Sequence, residues 1–163
     1  MKLTNEKIFR ASSGMRQLFA TRRLFPVMVS NKLAKLAQLL DEKMEVINQT
    51  QKELVKKYGE KDEITGQLQI ARFINKMDEA GNKIFDDKKE PVKVFNPAFE
   101  KYEEEWAEFR KQEEEITFTW NPPEKIKLPE KIAATCDKCH HNMDRVLEIE
   151  PEILFALADF IEI

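Results

Sequence analysis

Histidine occurs at only two positions in this chain, the adjacent His140 and His141, and cysteine at two, Cys136 and Cys139. The scarcity removes most histidine-dependent acid–base and nucleophilic chemistry from consideration. Glycine occurs four times, and no Gly-rich phosphate loop, Gly-x-Ser-x-Gly elbow or His-Glu-x-x-His motif is present. Glutamates are plentiful, but catalysis needs a carboxylate with a pocket and a partner. Glu113, Glu114 and Glu115 read instead as a solvated helix end. We therefore expect no enzymatic activity. No apolar run approaches the roughly 18 residues needed to span a bilayer, so no membrane association is expected. No continuous apolar segment marks a secretory leader, which makes a reducing, cytosolic compartment the expectation.

What is present is charge and helix-forming residues. Charged side chains make up 35% of the 163 residues and hydrophobic ones 42%, the balance of a helix-rich globular chain. The expected organisation is a single domain, 1–163, mainly α within the α+β class. A long helix packs on a shorter aromatic-faced helix, with a small antiparallel sheet and a C-terminal helix. The net charge of -3 divides unevenly, since residues 1–29 carry six basic side chains against Glu6 alone. Within this basic arm, Arg16, Arg22 and Arg23 are the candidate partner-binding residues. An arm of this sign suits nucleic acid or an acidic protein surface. It lacks a dense Lys/Arg run and interleaved aromatics, which favours the arm lying on its own acidic body.

The stretch from Ser30 to Gly59 is the strongest signal. Leu33, Ala37, Leu40, Met44, Ile47, Gln51, Leu54 and Tyr58 alternate at spacings of four and three, a heptad seam. Such a helix is roughly 43 Å long and needs partners to cover the seam. Ser30 is its expected N-cap, and Gly59 its expected stop in a positive-φ conformation. The preceding LFPVMVS should pack across the start of the seam. Gln51 is the polar member, suited to fixing register or oligomeric state, or to meeting water.

A first helix is expected over 4–19, capped by Thr4, with Ile8, Phe9, Met15, Leu18 and Phe19 on one face. Ser12, Ser13 and Gly14 predict a break at its centre. Residues 67–77 fit either a strand or a short helix, with strand slightly favoured, while 78–91 read as an exposed flexible loop and 92–95 as a short strand. Asn96-Pro97 opens a second strong helix, with Asn as cap and Pro at the first turn. Phe99, Tyr102, Trp106 and Phe109 share one face, and we expect Trp106 to be a core anchor near Leu40, Met44 and Ile47. Alternation in EITFTW (115–120) and KIKL (125–128) predicts an antiparallel pair, RVLEI (145–149) a third strand, and Pro151 the start of a helix through Phe160. No internal repeat is evident.

Cys136, Cys139 and His140 form the one motif with metal-ligand spacing. Cys-x2-Cys-His matches the attachment signature of c-type haem, but that chemistry belongs outside the cytoplasm. Two thiolates at this spacing supply half of a tetrahedral zinc site. The other half is missing unless a symmetric dimer shares two half-sites. The competing reading, which the residues favour, is a loop with ordinary reduced cysteines and no cofactor.

Several segments together resemble a family of small proteins of unknown function encoded by tailed bacteriophages and prophages. They are the opening MKLTNEKIF, then LFPVMVSNKLAKL and KELVKKYGEKDE at the two ends of the long helix. The C-terminal FEKYEEEWAEF, EITFTW, KIKL and LEIEPEILFALADFIE complete the likeness. The likeness is patchy, and residues 78–91 and 136–141 depart from it. None of its motifs is catalytic, and no functional residues carry over. The resemblance implies a phage accessory protein made in the host cytoplasm, or carried in the virion, that acts through contacts with a phage or host protein. The alternative is a nucleic-acid-associated regulator that uses the basic arm.

Overall fold

The computed structural model describes residues 1–21, 23–62, 66–120, 124–135 and 142–163. The fold is mainly α within the α+β class. In chain order, β1 (Lys2–Thr4) leads into α1 (Asn5–Ala20), followed by the long α2 (Val27–Tyr58). Then come β2 (Glu60–Lys61), β3 (Leu68–Gln69), β4 (Phe73–Asn75), β5 (Lys93–Phe95) and α3 (Pro97–Lys111). The C-terminal part holds β6 (Glu113–Glu115), β7 (Ile126–Lys127), β8 (Lys131–Thr135), β9 (Asn142–Val146), α4 (Pro151–Leu157) and β10 (Ile161–Glu162). The described strands form two-stranded sheets only. The chain divides into two compact units, 1–47 with 111–163, and 48–110.

In the first unit, Thr4 caps α1 as expected, its Oγ1 accepting from Lys7 N at 3.3 Å. The predicted break at Ser12–Gly14 does not occur. Gly14 is buried against α4, where an added Cβ would lie 2.8 Å from Ala156 Cβ. A mid-helix glycine costs about 1 kcal/mol of propensity; here it lets α4 approach closely enough to bury Ile153 and Leu157.

The predicted pairing of EITFTW with KIKL is replaced by two other pairings. Only Glu113–Glu115 is strand, and it pairs antiparallel with β1 in the register Leu3↔Glu114. The N-terminal amine continues this ladder, donating to Ile116 O at 2.8 Å. Beyond Ile116 the chain leaves the ladder, and Trp120 is buried with its Nε1 donating to Glu124 O at 2.9 Å. β7 pairs instead with β10, in parallel, which places the buried Ile126 opposite the buried Ile161. For this to happen α4 stops at Leu157, short of the predicted Phe160. The 145–149 strand is found earlier, as β9, in an antiparallel hairpin with β8. Alternation marks a residue as strand-like, but the partner is chosen by burial elsewhere in the chain.

α2 begins before Ser30. Ser30 N donates to Pro26 O at 2.9 Å, so the residue is already helical and does not cap. Leu33, Leu40, Met44 and Ile47 are buried, as the seam requires, but Leu36 is buried in place of the half-buried Ala37, and of the remaining seam positions Leu54 and Tyr58 are half-buried and Gln51 is exposed. Leu24, Val27 and Met28, expected to cover the start of that seam, are exposed. Gly59 ends the helix for a reason other than positive φ. A side chain there would collide with Val55 O and lie 2.9 Å from Gln69 O, so glycine is needed for close approach of the β2–β3 hairpin.

The second unit has a different construction. Among its described residues only Tyr102 and Asn96 are buried. Asn96 caps α3 as predicted, its Oδ1 accepting from Ala98 N at 3.0 Å. It also ties α3 to the strand region, since Nδ2 donates to Ala71 O at 2.8 Å. Tyr102 replaces Trp106 as the buried aromatic, and Gln51 Nε2 donates to its hydroxyl at 3.4 Å. Trp106 is half-buried and stacks on Phe109, with ring centroids 5.6 Å apart.

Residues 78–91, read as a loop, are exposed but highly organised. Asp78 Oδ1 accepts from Ala80 N and Asn82 N, and eight residues later Asp86 Oδ1 accepts from Lys88 N and Glu90 N. The fourth residue of each turn has positive φ, 82° at Gly81 and 62° at Lys89. At the centre Lys76 N donates to Val92 O, Val92 N to Ile84 O, and Ile84 N to Lys76 O. This eight-residue repeat is held by backbone geometry and two aspartates, so the side chains hide it.

Candidate functional site

An apolar groove lies in the first unit, between α1 and α4. Residues Arg10, Ser13, Gly14 and Gln17 recur at helical spacing and line one wall, and Pro151, Glu152 and Phe155 line the other. The groove has a volume of about 540 Å³. Gly14 and Ala156, in close approach, make its floor shallow. Over it stand Phe9, 53% exposed, and Phe155, 74% exposed. Both aromatics follow from helix geometry. Ile8, Ala11, Met15 and Leu18 turn inward, leaving Phe9 off the buried stripe; Ile153 and Leu157 do the same to Phe155. Phe9 and Phe19 were expected to share one face with Ile8, Met15 and Leu18; those three are buried, and both phenylalanines are exposed. Phe155 gave no signal in the sequence, because a four-residue apolar period also fits a buried helix.

The second unit carries a separate aromatic row. Phe73 meets Phe95 edge-on at 6.0 Å, Phe95 meets Phe99 at 6.2 Å, and Phe99 lies 6.1 Å from Tyr102. The row links sheet to helix and substitutes for a packed interior. Its polar counterpart is Glu105, which accepts from Lys57 Nζ at 2.7 Å and from the Tyr58 hydroxyl at 2.6 Å. These two hydrogen bonds, that from Lys57 first, hold the Glu105 carboxyl below its ordinary value. The same bond, with a smaller contribution from Tyr58, raises Lys57. Asp78 is lowered chiefly by the backbone N–H of Asn82 and then by its side chain.

The basic arm is largely paired within its own unit. Arg16 lies 3.7 Å from Asp41, Arg23 3.8 Å from Glu150, and Lys7 3.1 Å from Asp159, while Arg10 bridges to Glu6. Arg16 and Arg23 thus face different carboxylates. Arg22 lies outside the described residues, as do Cys136, Cys139 and His140. Among the described residues no group of three or more His, Cys, Asp or Glu could hold a metal ion, and no helix is long and apolar enough to cross a membrane.

No known protein family, curated protein or solved structure matches the chain.

Proposed function

We propose that this is a non-enzymatic phage accessory protein that acts through protein–protein contacts, with the α1–α4 groove as its docking surface. The phage assignment rests on the resemblance of the helix-flanking and C-terminal segments. The docking assignment rests on one observation, the pair Phe9 and Phe155 standing exposed over a groove floored by Gly14 and Ala156. Exposed aromatics next to a concave apolar surface are the usual anchors of protein interfaces. The polar rim of Arg10, Gln17 and Glu152 adds hydrogen-bonding groups around that centre. The pairing of Lys7, Arg10, Arg16 and Arg23 with carboxylates speaks against the basic arm as a nucleic-acid surface.

The test places a photo-crosslinking residue at Gln17, on the rim, and expresses the protein during infection. Crosslinks to tail or capsid proteins identify a virion or assembly component, and crosslinks to a host enzyme identify an inhibitor. Phe155→Ser should abolish the crosslink while leaving the melting temperature unchanged. An unchanged crosslink pattern in Phe155→Ser would exclude the groove.

A further inference from the structure

Helix α2 carries a second stripe beside its buried one. Met28, Lys32, Lys35, Leu39, Glu42 and Val46 recur at spacings of four and three, about a third of a turn round the helix from Leu33, Leu40 and Ile47. All six belong to the first unit, and none lines the α1–α4 groove. The core leaves the apolar members of this stripe largely uncovered. Met28 is 73% and Val46 57% exposed, and Leu39 between them is half-buried. The charges are segregated along the helix. Lys32 and Lys35 lie in the N-terminal half of the stripe, Glu42 lies in the C-terminal half, and Glu45 flanks it there. These four form no ion pair among the described residues. Glu42 accepts from the neutral Gln38 at 3.2 Å, which leaves its charge uncompensated. The charges at the margins are engaged within the chain, Asp41 with Arg16 at 3.7 Å and Lys43 with Glu114 at 2.9 Å.

We propose that this stripe is the contact of a two-fold homodimer, in which α2 packs antiparallel on α2 of a second copy. The order of the charges selects the occupant. A uniformly acidic or basic partner matches one half of the stripe and repels the other. A parallel copy sets lysine against lysine and glutamate against glutamate. An inverted copy brings the lysine pair of each chain to the level of the glutamate pair of the other, and symmetry makes that contact twice. The same inversion puts Met28 of each copy level with Val46 of the other and the two Leu39 side chains near the axis. Each apolar member of the stripe then has an apolar partner. The contact runs along roughly 27 Å of helix. A single helix pair of that length buries less than a standard interface of about 1,600 Å², so the dimer should form with a Kd on the order of 100 μM.

The experiment is sedimentation velocity on the intact protein at concentrations between about 10 μM and 1 mM. The parent should pass from monomer to dimer across that range. Two variants reverse one half of the stripe each. Lys32→Glu with Lys35→Glu makes all four of its free charges acidic, and Glu42→Lys with Glu45→Lys makes all four basic. Each variant alone should self-associate at least about tenfold more weakly than the parent. Mixed one to one, the two should associate at least as tightly as the parent, because each repulsion becomes an attraction. Lys32 is half-buried, whereas Glu42 and Glu45 are exposed. If the acidic variant does not fold, the basic variant decides the matter, by losing association while melting at the parent's temperature. A parent that stays monomeric up to about 1 mM, a dimer that persists in the basic variant, or a mixture of the folded variants that does not associate would overturn the proposal.

Discussion

The two units stabilise themselves by different means. Residues 1–47 with 111–163 bury Ile8, Leu18, Leu33, Leu36, Leu40, Trp120, Leu157 and Phe160 among others. Residues 48–110 bury Tyr102 and Asn96, and rely on an aromatic row, two aspartate-held turns and the ties of Glu105. Apolar burial contributes about 25 cal/mol per Å² removed from water, whereas an exposed hydrogen bond or ion pair contributes little net. The comparison teaches that stability is concentrated in the first unit, which also carries the proposed docking groove, and that the second opens at lower free energy.

Deleting core atoms breaks the comparison most severely. Leu157→Ala should lower the urea stability of the first unit by about 2–5 kcal/mol. Phe85→Ala, an aromatic deletion at an exposed position of the second unit, should change it by no more than about 0.5 kcal/mol. Single-tryptophan variants separate the readouts, because Trp120 reports on the first unit and Trp106 on the second. A similar loss in both variants would erase the distinction.

Asn96→Ala comes next. It removes a helix cap and leaves Ala71 O without its donor, so we expect a loss of about 1–3 kcal/mol, seen by Trp106 emission before Trp120 emission. Coincident transitions would indicate that the cap is coupled to the whole chain.

Lys89→Gly should act in the opposite direction. Lys89 holds φ at 62°, where a side chain is strained, while Gly81 occupies the matching position of the first turn without strain. Relief of strain, less the added freedom of glycine when unfolded, should stabilise the second unit by about 0.5–1 kcal/mol in urea melts. A destabilised Lys89→Gly would show that the Lys89 side chain makes contacts worth more than its backbone strain.

The smallest effect is a dependence on pH. Glu105 and Asp78 have depressed values in the folded protein, so their contributions are present above the ordinary carboxylate range and fade as pH falls through the depressed values. Lys57, which is raised, behaves in the opposite sense, its contribution being lost only as pH rises through the raised value in strong alkali. Acid titration followed by fluorescence should therefore shift Trp106 emission before Trp120 emission. Glu105→Gln should remove part of that early change.

Much of the helical frame was legible from residues alone. The Asn96-Pro97 start of α3 and the first part of the seam, Leu33, Leu40, Met44 and Ile47, are local signals, set by capping chemistry and period, and are found where expected, whereas the seam's continuation through Gln51, Leu54 and Tyr58 is not buried. What was not legible depends on partners distant in sequence. Gly14 reads as a helix breaker until Ala156 is placed against it, and Gly59 reads as a positive-φ stop until Gln69 O approaches. EITFTW alternates correctly, yet its first residues pair with β1, more than a hundred residues earlier, and KIKL pairs with the last strand. The groove was hidden for a related reason. Phe9 and Phe155 are apolar residues on helices whose buried stripes are narrower than their apolar content, and composition does not tell which aromatic is left outside.

Helix α2 allows the central claim to be tested within one element, because its residues to Ile47 belong to the first unit and those from Asn48 to the second. Native-state amide hydrogen exchange along α2 is the direct measurement. The account predicts that amides between Leu33 and Ile47 exchange only through global unfolding, with a urea dependence equal to that of the whole chain. Amides between Gln51 and Tyr58 should exchange faster, through an opening with little urea dependence. Uniform protection from Leu33 to Tyr58 would contradict it and show that the two units unfold as one.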